Sequence, residues 1–232
     1  WHNGQEMDMN DVLYSIYFLS EWGSEKMIND KTYDSSFSPQ AAQNANSLVG
    51  FRVVDANTIE VYTDYWHFDQ GQIASWAGIW STTPWEIMAA MEKSVIDGKV
   101  AFSRSDAANK NISWLSLIIP QDAKIIQEIL EDYKVSNNIP SALNQFETDI
   151  QYYENRYQQS IDWIDENDHA IISNGPFYLD RYSPESRIIV VKSFDFGDYP
   201  FSPGKWNEFE LIEFPKIVSI EIDKLLAKSS NN

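Results

Sequence analysis

The chain has 232 residues, of which 43% are hydrophobic and 22% charged, which is typical of a folded protein with one large or two small domains. Its 17 basic and 35 acidic residues give a formal net charge of −18. Such a surface repels phosphate groups and argues against nucleic acid as a partner. The absence of cysteine excludes disulfides, thiolate metal sites and cysteine nucleophiles.

The N-terminal stretch predicts a tight turn followed by a helix. Trp1–Gln5 contains the turn signal Asn-Gly, and Asp8 is placed to cap the helix that follows. Gly23 marks its C-terminal end. The apolar positions that repeat at helical spacing are Val12, Ile16 and Leu19.

The next elements are a second helix and a β-hairpin. Ser38 predicts an N-cap and Pro39 the first helical position. Residues 50–64 then alternate apolar and polar side chains on either side of the turn residues 55–57, which predicts two paired strands.

The region from Tyr65 to Trp85 is the most aromatic part of the chain and ends at a helix start. Thr83 is expected to cap this helix, with Pro84 in the first turn and Glu86 as the partner of a capping box. The helix is expected to run to about Val95.

Residues 99–119 leave two alternatives open for the apolar stretch 114–119, a strand or a buried helical turn. Pro120 predicts a helix to about Tyr133, and Pro140 a helix of roughly 28 residues, about 42 Å long. An apolar stripe along the second helix predicts a core face, made of Leu143, Phe146, Ile150, Tyr153, Tyr157, Ile161 and Ile164.

After His169 the pattern changes to strands, so we place a domain boundary near residue 168. The stretch 173–192 predicts a hairpin, in which Gly175 supplies backbone freedom, Pro176 begins the first strand and residues 183–186 form the turn. The predicted strands are 170–173, 177–182, 187–194, 209–214 and 217–222.

Catalytic and metal-binding motifs are scarce. The histidines His2, His67 and His169 lack the spacing of a metal site, so we expect no metal and no cofactor. The sequence has no nucleophile elbow and no phosphate-binding glycine-rich loop. With 35 acidic residues, a glycosidase carboxylate pair remains open, although the sequence does not indicate which two residues would form it.

Aromatic side chains in polar surroundings are the remaining signal. Each such tryptophan offers a flat apolar face and one N–H donor, which suits a sugar ring or a peptide side chain and equally suits core packing. The chain has nine Trp, including Trp66, Trp76, Trp80, Trp85 and Trp206 in polar contexts.

Three segments in the same order resemble one family. Trp1–Gly4 with Met9–Ser15 resembles the "W-x-D-G-x-x-x-T-A-x-D-V-x-Y-S" signature of the extracellular solute-binding proteins of family 5, the peptide- and nickel-binding class of ABC importers. Residues 51–63 resemble that family's "V-x-x-x-D-x-x-T-V-x-I-x-L" stretch, and 174–192 its "G-T-G-P-Y-x-L … I-x-L" hairpin. Asn3 stands where the family usually has Asp.

The resemblance implies an α+β fold: a helix-rich lobe with a β-hairpin, followed by strands of a mixed sheet, within a two-lobed periplasmic-binding-protein-like architecture. Residues 1–168 would form a small α+β domain with a helical insertion at about 97–165, and residues 169–232 a β-rich segment of the main ligand-binding lobe. The resemblance also implies that the chain is an internal segment of a longer protein, and we expect the segment alone to bind its ligand more weakly than micromolar.

The implied function is capture of an oligopeptide, or of an oligosaccharide, outside the membrane and its delivery to a membrane permease. We expect a non-enzymatic, monomeric protein in the extracellular or periplasmic space, membrane-anchored in its full-length form; a carbohydrate-active hydrolase with a carboxylate pair is the alternative. The candidate ligand-binding residues are Trp76, Trp80, Trp85, Asn174 and Gly175.

Overall fold

The computed structural model describes residues 1–194, 204–205 and 218–219, and it has a mixed α+β fold. The chain divides into two compact units, Trp1–Phe194 and Asp195–Asn232. The helices of the described residues lie in the first unit and are α1 (Met9–Trp22), α2 (Ser38–Ser47), α3 (Gln70–Trp76), α4 (Trp85–Ile96), α5 (Arg104–Lys110), α6 (Pro120–Val135) and α7 (Ile150–Asn167).

The strands of this unit form three separate two-stranded sheets. β1–β2 and β5–β6 are antiparallel hairpins, whereas β3–β4 is a short parallel pair, so the described part of the chain contains no mixed sheet. The strands are β1 (Leu48–Asp55), β2 (Thr58–Thr63), β3 (Val100–Ala101), β4 (Ser113–Trp114), β5 (Phe177–Ser183) and β6 (Ile188–Ser193).

The prediction for α1 is confirmed at both ends. The Asp8 side chain accepts from the backbone N–H groups of Asn10 and Asp11 in a capping box, and Gly23 is the C-cap. The helix buries Leu13, Tyr14, Phe18 and Trp22, while Ile16 and Leu19 on another side are only half-buried. Helix α1 therefore has two apolar faces, and the sequence pattern identified the less buried one.

Helix α4 is the centre of the core, since nine of its twelve residues are buried. It begins where the sequence predicts, but neither Thr83 nor Glu86 caps it: the N-cap position is Pro84, which makes no side-chain hydrogen bond. Instead the carboxylate of Asp11, from α1, accepts from the Trp85 N–H at 3.0 Å. A cap supplied by a distant helix ties the two elements together.

The long helix predicted from Pro140 is wrong in its first third. Helix α7 begins at Ile150, capped by Asp149, and its 18 residues span about 27 Å. Leu143 is nevertheless fully buried, whereas Phe146 is exposed. Residues 140–149 form an irregular segment that contributes one side chain to the core. The apolar spacing in this segment therefore indicates burial and not a helix.

Smaller differences concern caps and short strands. The N-cap of α2 is Phe37, and the Ser38 hydroxyl donates to the Tyr33 hydroxyl instead. Residues 170–173 are not a strand, although the Ala170 N–H donates to the Leu117 carbonyl. In the stretch left open, residues 113–114 pair with β3 and 117–119 form a turn. The predicted strands 209–214 and 217–222 lie outside the described residues.

The β5–β6 hairpin is confirmed and attaches to the helical part through two histidines. The His2 ring lies 2.9 Å from the Gly175 carbonyl, and the His169 ring lies 3.0 Å from the Leu179 carbonyl. The backbone angles at Gly175 are open to any residue, so its expected conformational freedom is not used. The predicted assignment of residues 1–168 and 169–232 to different lobes stays a prediction.

Candidate functional site

A groove of about 490 Å³ lies between α1 and α2, and we call it the α1–α2 groove. Its apolar lining includes Ile16 and Leu19 of α1 and Met88 of α4. Small polar and amide side chains also line it, from α1, α2 and the residues just after α1, together with the indole of Trp80. The lining polar residues include Ser15, Ser20, Ser24, Gln40 and Asn44.

Two glycines set the shape of this groove. A Cβ at Gly23 would overlap the Ala41 side chain, so the missing Cβ lets the end of α1 approach α2. The Trp80 ring lies over Gly78, where an added Cβ would stand 3.6 Å from the ring edge. The indole thus rests on backbone and remains 60% exposed, so an aromatic surface is accessible at the groove.

The other two candidate tryptophans do not line the groove. Trp76, at the end of α3, is half-buried and stacks on Tyr65 with ring centroids 4.5 Å apart. Trp85 is 0% exposed, and its Nε1–H donates to the Tyr152 hydroxyl at 3.0 Å. The Trp85 ring is therefore not accessible to a ligand in this structure.

Asn174 and Gly175 lie beside the N-terminal turn and outside the groove. The Asn174 side chain is exposed and its Nδ2 lies 3.8 Å from the Met7 sulfur, a weak contact. The Gly175 carbonyl accepts from His2. The five candidate residues are therefore not brought together, and of the five only Trp80 lines the groove.

A buried ion cluster joins three helices of the first unit. The Arg156 guanidinium of α7 lies 2.6 Å from Asp11 of α1 and 2.7 Å from Glu86 of α4. The Trp1 indole donates to Asp11 and the Ser160 hydroxyl donates to Glu86, so each carboxylate accepts a further hydrogen bond besides those from Arg156. Burial raises the pKa of Glu86, and the nearby Arg156 charge opposes that rise.

This cluster serves packing and not chemistry on a substrate. Asp11 and Glu86 are both fully buried and share one guanidinium, so a substrate has no access to them. A carboxylate pair bridged by a cation in a core is the arrangement of a structural ion pair.

A second buried carboxylate, Glu92 of α4, stands apart from this cluster. It accepts a hydrogen bond from the Tyr14 hydroxyl and another from the Trp22 Nε1–H at 2.5 Å. Burial raises its pKa from 4.5 to about 7, since neither of these neutral donors compensates a buried charge as a cation would. Glu92 thus changes its charge near neutral pH inside the core.

The three histidines each form a hydrogen bond within the chain. His2 and His169 contact backbone carbonyls, and His67 Nδ1 accepts from the Asp69 N–H at 3.0 Å. Within residues 1–194, 204–205 and 218–219, no group of three or more His, Asp or Glu side chains has metal-binding geometry.

Sequence reasoning missed the groove because its residues come from three separate stretches. One signal was available in α1: Ile16 and Leu19 form an apolar stripe beside the buried stripe of Tyr14, Phe18 and Trp22. A helix apolar on two sides has one side to pack against the core and one for another contact. The groove lies on that second side.

Comparisons with known proteins add no relatives. No protein-family model matches the sequence, and a search of curated proteins finds no significant similarity. Across the described part of the chain, no helix has both the length and the apolar character that a membrane crossing requires.

Proposed function

We propose that this protein is the extracytoplasmic solute-binding component of an ABC importer, which holds an oligopeptide, or an oligosaccharide, and delivers it to a membrane permease. The α1–α2 groove carries the proposal. It combines apolar and polar lining side chains with the exposed indole of Trp80, the usual composition of a small-molecule site. Tryptophan faces bind sugar rings and apolar peptide side chains equally well.

The arrangement of the segments that resemble family 5 supports the same proposal. The Trp1 indole donates to Asp11 at 3.0 Å, so the Trp and the Asp that match the first motif contact each other. The His2 N–H donates to the Ser173 carbonyl at 2.8 Å, next to the third motif. Two segments more than 160 positions apart are thus neighbours, as parts of one fold.

In this proposal the chain belongs to a two-lobed, periplasmic-binding-protein-like fold, extracellular or periplasmic, monomeric and membrane-anchored in full-length form. Binding then requires no covalent chemistry: a ligand that contacts both lobes stabilises the closed state, and its affinity depends on that closure equilibrium.

Recovery of the ligand tests the proposal. The full-length protein is incubated with a pool of short peptides and, separately, with a pool of oligosaccharides, and the protein-bound material is identified by mass spectrometry. We expect one pool to yield a compound that is released unchanged. Shorter products that accumulate with time would show a hydrolase, and an empty protein with both pools would contradict the proposal.

A further inference from the structure

The chain contains two Asn-Gly pairs, Asn3-Gly4 and Asn174-Gly175, and the fold holds them differently. Such a pair is chemically labile. The backbone nitrogen of the glycine attacks the side-chain carbonyl carbon of the asparagine, and ammonia leaves as a five-membered succinimide ring closes. The reaction requires a free backbone N–H, an asparagine side chain that is able to turn towards it, and a flexible residue after the asparagine, which glycine provides.

The pair Asn174-Gly175 meets all of these conditions. Asn174 is exposed, and its side chain makes only a weak contact, in which Nδ2 lies 3.8 Å from the Met7 sulfur. Within the described part of the chain, the Gly175 N–H has no hydrogen-bond partner. Apart from the chain neighbours of Gly175, the nearest atom to an added Cβ would be the Phe177 carbonyl oxygen at 3.9 Å, so the nitrogen lies in open space.

The pair Asn3-Gly4 is held at the same groups. Asn3 Nδ2 donates to the Ser160 hydroxyl at 3.3 Å, and Asn3 Oδ1 accepts from the Gln5 N–H at 3.4 Å. The Gly4 N–H, which would be the attacking group, donates to the Trp1 carbonyl at 3.1 Å. These hydrogen bonds must break before the ring closes, so the fold protects Asn3.

Asn174 also lies between two hydrogen bonds that join the start of the β5–β6 hairpin to the N-terminal turn. The His2 N–H donates to the Ser173 carbonyl at 2.8 Å, and His2 Nε2 lies 2.9 Å from the Gly175 carbonyl. Water opens a succinimide at either carbonyl and yields aspartate or isoaspartate. In isoaspartate the main chain runs through the former side chain, which inserts one CH₂ group between the two carbonyls that contact His2.

We propose that Asn174 is a site of spontaneous deamidation, and that its isoaspartate product loosens the attachment of the β5–β6 hairpin to the N-terminal turn. The net reaction consumes one water and releases one ammonia, and a carboxylate replaces the amide. The added CH₂ group changes the spacing of the Ser173 and Gly175 carbonyls, so the pair no longer matches the two donors of His2. This modification does not depend on the proposed solute binding.

Peptide mapping of the full-length protein during incubation in mildly alkaline buffer tests the site. We expect Asn174 to deamidate at least tenfold faster than Asn3, because the hydrogen bonds that hold Asn3 and Gly4 must break first. We also expect isoaspartate as well as aspartate at position 174. In urea, where both pairs are unfolded, the two rates should become similar. Equal rates in the folded protein, or aspartate as the single product, would overturn the proposal.

The variant Gly175→Ala identifies the attacking nitrogen. Gly175 is not in the left-handed backbone region and has open space beside it, so an alanine fits the fold. Alanine stiffens the backbone and shields the nitrogen, and deamidation of Asn174 should become about tenfold slower. An unchanged rate would show that this nitrogen does not attack and would overturn the mechanism.

The effect on the hairpin is measured by hydrogen exchange, with Asn174→Asp as the matched control. This variant carries the same charge as the isoaspartate form without the added CH₂ group. We expect the backbone N–H groups of His2 and of β5 to exchange faster in the purified isoaspartate form than in Asn174→Asp. Equal protection in the two proteins would overturn the loosening of the hairpin.

Discussion

Replacement of Glu92 by glutamine tests the electrostatics of the core. Glutamine has nearly the same shape, and its oxygen is able to accept from the Trp22 N–H while its amide donates to the Tyr14 oxygen. The substitution therefore removes the ionisable group and keeps both hydrogen bonds.

The magnitude follows from the pKa of Glu92, which burial raises from 4.5 to about 7. A raised pKa in the folded state means that the stabilising contribution is complete below the unfolded value, near 4.5, and is lost as the pH rises through about 7. Between pH 4.5 and 8 the native protein loses about 3 kcal/mol of unfolding free energy through this group, and Glu92→Gln does not.

Urea unfolding of both proteins, followed by tryptophan fluorescence across this pH range, measures the difference. We expect the unfolding free energy of Glu92→Gln, expressed relative to that of the native protein, to increase by about 3 kcal/mol between pH 4.5 and pH 8. The exposed Glu128 of α6 is the control, since Glu128→Gln should change little with pH. If the stability difference between Glu92→Gln and the native protein does not change with pH, the raised pKa of Glu92 is contradicted.

Two further variants test the packing of α1 against its neighbours. Arg156→Met leaves the buried carboxylates of Asp11 and Glu86 without their cation and is expected to lower the unfolding free energy by about 3–5 kcal/mol in urea titrations. Gly23→Ala forces a methyl group into Ala41, and a loss of about 1–3 kcal/mol is expected together with weaker ligand binding in the groove.

Each variant has a matched control. An added Cβ at Gly50 meets nothing within 4 Å, so Gly50→Ala should cost far less than Gly23→Ala. Equal losses at the two glycines would contradict the close approach of α1 and α2. In the Arg156→Met background, Glu86→Gln removes one of the unpaired charges and should restore part of the stability; no recovery would argue against an ion pair at this position.

The helices are predictable where their signals are local. Asp8 and Gly23 mark the two ends of α1 in the sequence and in the structure, because both act on the backbone of their own helix. Helix α4 starts at the predicted place for a different reason, since its capping carboxylate belongs to Asp11, more than 70 positions away. The apolar stripe across Leu143 predicts a helix that does not form, because periodicity reports burial, which an irregular segment also provides.

The sites are less predictable than the fold. Trp80 and Trp85 have similar polar surroundings in the sequence, but only Trp80 is exposed. Trp85 is fully buried and hydrogen-bonded to Asp11 and Tyr152. Because these partners are distant in sequence, its burial could not be predicted from its neighbours. The contact of His2 with Gly175 also joins residues that are distant in sequence. Such contacts arise from tertiary packing and leave no local pattern.

The most direct test of the proposed solute-binding function is the thermal midpoint of the full-length protein with a peptide pool and with an oligosaccharide pool, measured for the native protein, Trp80→Ala and Trp66→Ala. Trp66 is 80% exposed and lies outside the α1–α2 groove, so it is the matched control. A ligand that binds only the folded state raises the midpoint. We predict a rise with one pool for the native protein and Trp66→Ala, and a much smaller rise for Trp80→Ala. No rise with either pool, or the same rise in all three proteins, would contradict the assignment of the groove as the binding site.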